Sequence, residues 1–281
     1  MKIPKKVNFD ICTFCNHKCT FCSNSDPRTI KEQTSLDEFK KVMQNVAKYI
    51  EITELGLSAK GEVLVNKEFA DIIRAAKEEF HIPYVYFSTN GALLDKKKAI
   101  EVLEAGIDSI KFSINALNKE EYKRVHQVDD FDAVIQNFKD LLKLKKERFK
   151  NLKVTISSVI DMNKEDLVKA FKELIGEDLI HVNDIFVYAI TYTPKFEEVS
   201  SSQKVTKKCS IPFNELYINS DGSLGLCCKD YFDSVNFGSL LDNDFMDVYD
   251  SKEFKEIRQM HQMSEFPDNH LCKNCLLYGG E

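Results

Sequence analysis

The sequence predicts an α/β protein: a mostly parallel sheet curled into an open or closed barrel, followed by a small cysteine-bearing tail. Two observations carry this. Short apolar or β-branched runs alternate with amphipathic stretches of helical period up to about residue 190. Beyond that point the alternation stops, and a polar stretch, a hairpin signal and a cysteine knuckle follow.

In chain order, the strand-like runs are 7–11, 55–58, 84–88, 109–114, 154–160 and 185–189. Between them lie helical patterns at 35–50, 66–80, 95–105, 131–149 and 164–175. Ser35 with Glu38 fits a capping box, Asp95 and Asn163 are N-cap types, and Gly106 and Gly176 stand where helices end. Strands separated by helices pair in parallel, and right-handed crossovers curl such a sheet. Residues 191–208 are polar, with Pro194 and a serine run, and read as a linker between a barrel over 1–190 and a tail over 209–281. In the tail, strands at 215–219 and 223–227 flank Ser220-Asp221-Gly222, a hairpin turn. A helical segment at 245–263 and the knuckle Cys272-Lys-Asn-Cys275 complete it.

Composition excludes several classes. With 43% hydrophobic and 30% charged residues in 281, the chain is neither disordered nor membrane-like. A net charge of −6 argues against nucleic-acid binding. No apolar run has the length of a signal peptide core or a membrane span, so a cytoplasmic protein is expected, with no membrane partner. Nine cysteines then need a reason, because disulfides are rare in that compartment and clustered thiols there suggest metal or redox work. They fall into two groups, with none between residues 23 and 208. Cys12, Cys15, Cys19 and Cys22 open the chain; Cys209, Cys227, Cys228, Cys272 and Cys275 close it.

The first group contains Cys15-Asn-His-Lys-Cys19-Thr-Phe-Cys22, just after the first strand. Three thiolates on one loop can hold three irons of a cubane and leave the fourth open. A closed zinc site would need a fourth ligand, which Cys12 or His17 could supply. A CxxxCxxC run with an aromatic before its last cysteine, following strand one of a β/α barrel, resembles the signature of the radical SAM superfamily. The resemblance covers roughly the first 190 residues. It implies a partial (β/α)6 TIM-like barrel, a [4Fe–4S] cluster on Cys15, Cys19 and Cys22, and bound S-adenosylmethionine. Gly61 and Glu62 then resemble the Gly-Gly-Glu segment that receives the methionine ammonium, with Lys60 in place of the first glycine. Asn90 lies in a Thr-Asn-Gly turn similar to the family's. Ser113 is implied at the ribose, with Asn115 beside it. Phe21 is implied near the adenine, and Arg124 at a position where some relatives contact the cofactor. Each has a plain alternative as a loop, cap, core or surface residue. His81, His181 and His261 read as surface or core residues, and His17 has no required role.

Cys209, Cys227, Cys272 and Cys275 form a four-ligand set whose spacing resembles the SPASM-type extension of radical SAM enzymes in its shortened twitch form. That implies a second [4Fe–4S] cluster, closed by four thiolates and suited to electron transfer. A Cys₄ zinc ribbon is the competing reading. Cys228 is left over, a packed thiol, an alternative ligand or a hydrogen-atom donor, and Cys12 reads as a buried small residue. The spacing resembles that of a twitch enzyme that oxidises a cyclitol alcohol, although Tyr192 stands where that enzyme's substrate-contacting arginine is expected. The expected function is oxidation of a small sugar-like or cyclitol-like molecule, with an external one-electron donor such as flavodoxin or ferredoxin. Alternatives are epimerisation with Cys228 as donor, and peptide maturation, against which the early first cluster argues by leaving no room for a preceding recognition domain, although a separate recognition protein could act instead. Outside enzymes, an iron–sulfur electron carrier or zinc scaffold remains.

Overall fold

The computed structural model describes residues 3–57, 60–188, 209–268 and 270–277. The linker reading at 191–208, and Tyr192 within it, lie outside the described residues. The six expected strands form at β1 (Lys6–Phe9), β2 (Glu54–Gly56), β3 (Tyr84–Thr89), β4 (Ser109–Ser113), β5 (Lys153–Ser158) and β6 (Asp184–Val187). Each pairs in parallel with its neighbour. Helices α1 (Leu36–Ala47), α2 (Phe69–Glu78), α3 (Lys96–Glu104), α4 (Lys119–His126), α5 (Phe131–Glu147) and α6 (Lys164–Ile175) alternate with them, α4 and α5 both falling between β4 and β5.

The local chemistry explains the boundaries. Ser35 and Glu38 close a reciprocal capping box on α1, with the Ser35 amide donating to Glu38 at 2.8 Å. Asp95 and Asn163 accept from the third amides of α3 and α6. Helix α4 lies outside the expected elements. Its sequence KEEYKRVH offers a single short apolar row, Tyr122, Val125 and His126, which is buried.

Strand parity divides the sheet. Val7 and Phe9, Val85 and Phe87, Ile110 and Phe112, and Val154 and Ile156 are fully buried under the helices. Phe9 stacks on Phe39 of α1, and Phe112 meets Phe138 of α5. The opposite parity is polar. Lys6 pairs with Glu54 and Glu215, Asn8 donates to Glu215 at 2.6 Å and accepts from Tyr86 at 3.1 Å, and Ser113 meets Ser157 at 3.2 Å. A sheet with apolar residues toward its helices and linked polar residues on its inner face encloses a hydrophilic interior. Asp10 continues that inner row and is 1% exposed. Neither of its carboxylate oxygens makes a hydrogen bond. Burial pushes its carboxyl up to about 7, against the pull of the Lys60 ammonium and the nearby amides of Lys60 and Cys12.

The tail joins this sheet. After α7 (Ile211–Asn214) come β7 (Glu215–Ile218), β8 (Ser223–Gly225) and β9 (Asn236–Ser239), then α8 (Phe245–Tyr249), α9 (Lys252–Met263) and α10 (Leu271–Leu277). The expected hairpin is present, with Gly222 at positive φ. Its first strand pairs in parallel with β1, Lys6 opposite Glu215 and Phe9 opposite Ile218. One nine-stranded open sheet results, in the order β6-β5-β4-β3-β2-β1-β7-β8-β9. The single helical run expected at 245–263 breaks at Asp250 and Ser251, where the Ser251 side chain caps α9. Among the described residues, no helix is long and apolar enough to cross a membrane.

Asn45 on α1 fastens the tail from the helix side. Its amide donates to the carbonyls of Leu240 and Asn243 at 2.9 and 2.7 Å, and its oxygen accepts from the amide of Phe245 at 3.0 Å. Asn45→Ala leaves these three groups without their partner and is expected to cost on the order of 2–4 kcal/mol. Urea unfolding checks this: the midpoint falls at unchanged slope, and an unmoved midpoint would refute the fastening role. Asp10 gives a pH prediction. Its folded-state carboxyl titrates above the unfolded one, so its contribution is present in acid and is lost as pH rises through about 7. Wild-type stability therefore declines between pH 4 and about 7 on this account, and Asp10→Asn flattens that decline; equal slopes in the two proteins would show that Asp10 is not the group responsible.

Candidate functional site: two thiol sets around a polar barrel interior

The first cysteine loop grows from the end of β1. Asp10 donates its amide to Ile218 of β7, Thr13 its amide to Glu32, and Thr34 its amide to Ile11. The entry is thus pinned on both sides before the chain turns. Asn24 then ties the loop's far end back, donating to the carbonyls of Thr13 at 2.6 Å and Lys60 at 2.7 Å. Lys31 caps Asn24 through its carbonyl and side-chain oxygens. On the other flank, Lys18 and Thr20 donate their amides to the carbonyls of His126 and Val125, the last residues of α4. The loop is held in place by backbone contacts on three sides.

Its three thiols share one environment. Burial pushes Cys15 up to about 11 and raises Cys19 and Cys22 as well, and Cys15 and Cys22 each oppose ionisation of a neighbouring thiol in the set. Left alone, such thiols stay protonated at neutral pH. Bound iron, by its positive charge, reverses this and makes them thiolate ligands. The donor set fits three irons of a [4Fe–4S] cluster. Cys12 is buried on the strand end and directs its sulfur at the Phe14 carbonyl, 3.7 Å away, outside this set.

The expected cofactor segment converges on the same loop. Gly61 lies against its backbone: a Cβ there would stand 2.3 Å from the Cys12 carbonyl oxygen and 2.5 Å from that of Phe14. Only glycine permits that approach. Glu62 donates its amide to Phe14 at 2.9 Å. Its carboxylate is 2% exposed and accepts from Thr89 at 2.9 Å, the Asn90 amide at 2.7 Å and the Leu64 amide at 3.2 Å. Burial still pushes Glu62 up to about 7. These bonds make Glu62 the tie between this segment and the end of β3. Asn90 reaches the cysteine loop, donating to Asn16 at 2.9 Å and lying 3.9 Å from the Cys15 sulfur.

Other expected residues are placed differently. Ser113 faces the interior beside Ser157. Asn115 accepts from the Val159 amide at 3.1 Å, bracing the ends of β4 and β5. Phe21 meets the ring of His126 edge-on at 6.1 Å. Arg124 is not brought in: its side chain is 74% exposed, on the outer face of α4 near Glu121.

The tail thiols also gather. Cys272 is buried and Cys209, Cys227 and Cys275 are half-buried. Burial drives Cys227 up to about 12 and raises Cys272 and Cys275, and Cys272 feels Cys227, Cys275 and Cys209 around it. Cys272 and Cys275 stand one turn apart on α10. A small apolar cluster of Leu226, Ile257 and Cys272, with Phe237, Met260 and Phe266 against it, supports them. Four convergent thiols fit a closed cluster. Cys228 is exposed.

Sequence reasoning missed the link between the two sets. Lys60, where the resemblance expects glycine, is buried and its ammonium pairs with Asp233, which follows Cys227 and Cys228. Asp10 lies within electrostatic reach of both, and the buried Tyr217 hydroxyl, which makes no hydrogen bond, within reach of Asp10, Cys227 and Cys228. His126 was missed too. Its Nδ1 lies 3.1 Å from the Cys19 sulfur, while burial pulls the ring down to about 4. The departure at Lys60 was the visible signal for the first; nothing local marks the second.

Comparison with known proteins agrees with this geometry. Residues 10–174 match the radical SAM superfamily model, and residues 209–276 match SPASM, an iron–sulfur cluster-binding domain. The GTP 3',8-cyclase of Clostridium perfringens (strain 13) is 28% identical over 195 residues, which are 67% of this chain and 57% of that protein. The probable GTP 3',8-cyclase of Thermococcus kodakarensis is 29% identical over 133 residues, 46% of this chain and 41% of that one. The chain thus spans only about 40 to 57% of the length of the curated relatives it matches. Among solved structures, BtrN in complex with AdoMet and 2-DOIA superposes with a TM-score of 0.61 at 16% identity, covering 94% of this chain and 89% of that one. SuiB of Streptococcus suis bound to S-adenosylmethionine gives 0.62 at 14%, covering 92% and 68%. These likenesses show the fold: an open, mostly parallel barrel. The matched domains bring a [4Fe–4S] cluster, S-adenosylmethionine and additional iron–sulfur binding as cofactors. The chain belongs to the radical SAM superfamily and carries a SPASM-type tail.

Proposed function

We propose that Cys15, Cys19 and Cys22 hold the cluster that works with S-adenosylmethionine, that Cys209, Cys227, Cys272 and Cys275 hold a second one, and that the protein oxidises an alcohol of a small sugar-like or cyclitol-like molecule. The observation that carries the substrate class is the hydrophilic interior: Lys6, Asn8, Asp10, Tyr86, Ser113 and Tyr217 share the inner face of the sheet. In support, this inner row runs up β1 to Asp10, just before the first cysteine loop, and its member Tyr217 on β7 lies within electrostatic reach of Cys227 and Cys228. The first loop follows the upper end of β1, while β8 runs back antiparallel to β7, so Cys227 follows Gly225 near the level of Tyr217. When bound, the cofactors supply a 5′-deoxyadenosyl radical that removes a hydrogen atom and, in the tail, an acceptor for one electron.

The chain's own part is positioning and proton transfer. Oxidation of a secondary alcohol removes a hydrogen atom from carbon, a proton from oxygen and one electron, leaving a ketone. Asp10 is an interior carboxylate that, among the described residues, has no well-formed hydrogen bond, and its pKa is raised to about 7 by burial, so we assign it the proton. Serine, tyrosine and asparagine side chains along the inner face suit the remaining hydroxyls. Gly61, Glu62 and Asn90 hold the cofactor end in register with the cysteine loop. A one-electron donor such as flavodoxin or ferredoxin completes the cycle.

A second reading rests on Cys228, which is exposed beside Cys227 and free to return a hydrogen atom on the opposite face, giving an epimer. Mass spectrometry of small-molecule extracts after reaction with S-adenosylmethionine and dithionite separates the two: a product lighter by two hydrogens supports oxidation, and an isomer carrying solvent deuterium at one carbon overturns it. Cys228→Ala sharpens the contrast. Oxidation survives the change with one product per cofactor consumed, whereas an epimerase stops while 5′-deoxyadenosine still forms.

The ligand assignment has its own check. Anaerobically reconstituted protein is expected to carry roughly eight irons and eight sulfides. Replacing Cys15, Cys19 and Cys22 together by alanine should remove about half of both and end 5′-deoxyadenosine formation. Zinc without sulfide in the wild-type protein would sink the assignment.

A further inference from the structure

The histidine against Cys19 is placed with more care than packing alone demands. The His126 ring is 1% exposed and its orientation is fixed from three sides. Tyr122, one turn earlier on α4, stacks on it at 4.2 Å and 20°. His17 meets its edge at 5.3 Å and Phe21 at 6.1 Å. His17 is itself held by Asp130 through its Nε2 at 3.1 Å. The peptide around the ring is anchored as well, since the His126 and Val125 carbonyls accept the amides of Lys18 and Thr20, on either side of Cys19. In this setting Nδ1 lies 3.1 Å from the Cys19 sulfur, while Nε2 is buried with no partner. The ring thus leaves one nitrogen unsatisfied and keeps the other on sulfur.

A thiolate that ligates iron has no hydrogen to give, so the contact requires the hydrogen on Nδ1. We propose that His126 is a positioning residue that donates a hydrogen bond to the Cys19 sulfur and thereby makes the first cluster easier to reduce. The physical reason is charge. Reduction adds an electron to a cluster–thiolate unit that is already electron-rich, and a donor on a ligand sulfur stabilises the more negative state. The aromatic rings around His126 hold its orientation toward that sulfur. This inference rests on Cys19 being a ligand of the first cluster.

The measurement is a redox titration followed by electron paramagnetic resonance, on the full chain without S-adenosylmethionine. Two variants separate tuning from structure. His126→Phe keeps a ring against Tyr122 but has no N–H; His126→Asn offers an amide N–H close to where Nδ1 stood. The expected result is a more negative midpoint in the phenylalanine variant at unchanged iron content, and a return toward the wild-type value in the asparagine variant. Equal midpoints in all three proteins, or equal shifts in both variants, would overturn the inference. So would iron loss from the phenylalanine variant together with a clearly shifted midpoint in an iron-replete asparagine variant, which would mark His126 as structural only. His17, Cys19 and His126 also bring donor atoms within 4.8 Å of one another. Metal analysis showing a single ion held there, with no sulfide, would defeat the ligand assignment and this inference together; iron and sulfide in cluster ratio with an insensitive midpoint would defeat only the latter.

Discussion

Everything at the mouth of this barrel depends on one strand pairing, that of β7 along β1. Without it β1 would be an open edge, and the chain leaving it would have no partner for the Asp10 amide. With it, the cysteine loop starts from a strand bonded on both sides, and the tail's own cysteines are carried to the barrel's flank. The two thiol sets therefore owe their relation to backbone hydrogen bonds, which fix distance and register more firmly than surface side chains could.

The pairing also dictates an unusual electrostatic interior. β7 contributes Glu215 and Tyr217 to a face already holding Lys6, Asn8 and Asp10. Buried charges are tolerated when each finds a counter-charge, as Lys6 does with Glu54 and Glu215 and Lys60 with Asp233. Asp10 and Tyr217 are the members left incomplete. A protein folding for stability alone would fill such a space with apolar side chains; the incomplete polar row is the feature on which the proposed substrate class rests.

Much of this could be read before any coordinates. The strand and helix periods of the barrel and the caps at Ser35, Asp95 and Asn163 depend on neighbours in sequence, and the structure forms them. Gly61 was legible as a motif position, although its reason, the carbonyls of Cys12 and Phe14, was not. What escaped is non-local. Nothing in residues 215–218 says which strand they will pair with, and β9 is too short and polar to announce itself. Arg124 and His126 are two residues apart on one helix, and which of them turns inward is decided by the packing of α4, not by residue type. Glu62 illustrates a subtler gap. A motif carboxylate suggests a ligand contact, and the structure spends its hydrogen bonds on Thr89, Asn90 and Leu64.

The β1–β7 ladder pairs residues 209 positions apart, as Lys6 with Glu215. Such closure is entropically slow and waits on nearly the whole chain. During synthesis the first cysteines leave the ribosome long before the strand that completes their support exists. The nascent barrel must hold an unpaired parallel edge and reactive thiols side by side for that interval. A chain truncated before residue 215 would leave both exposed at once.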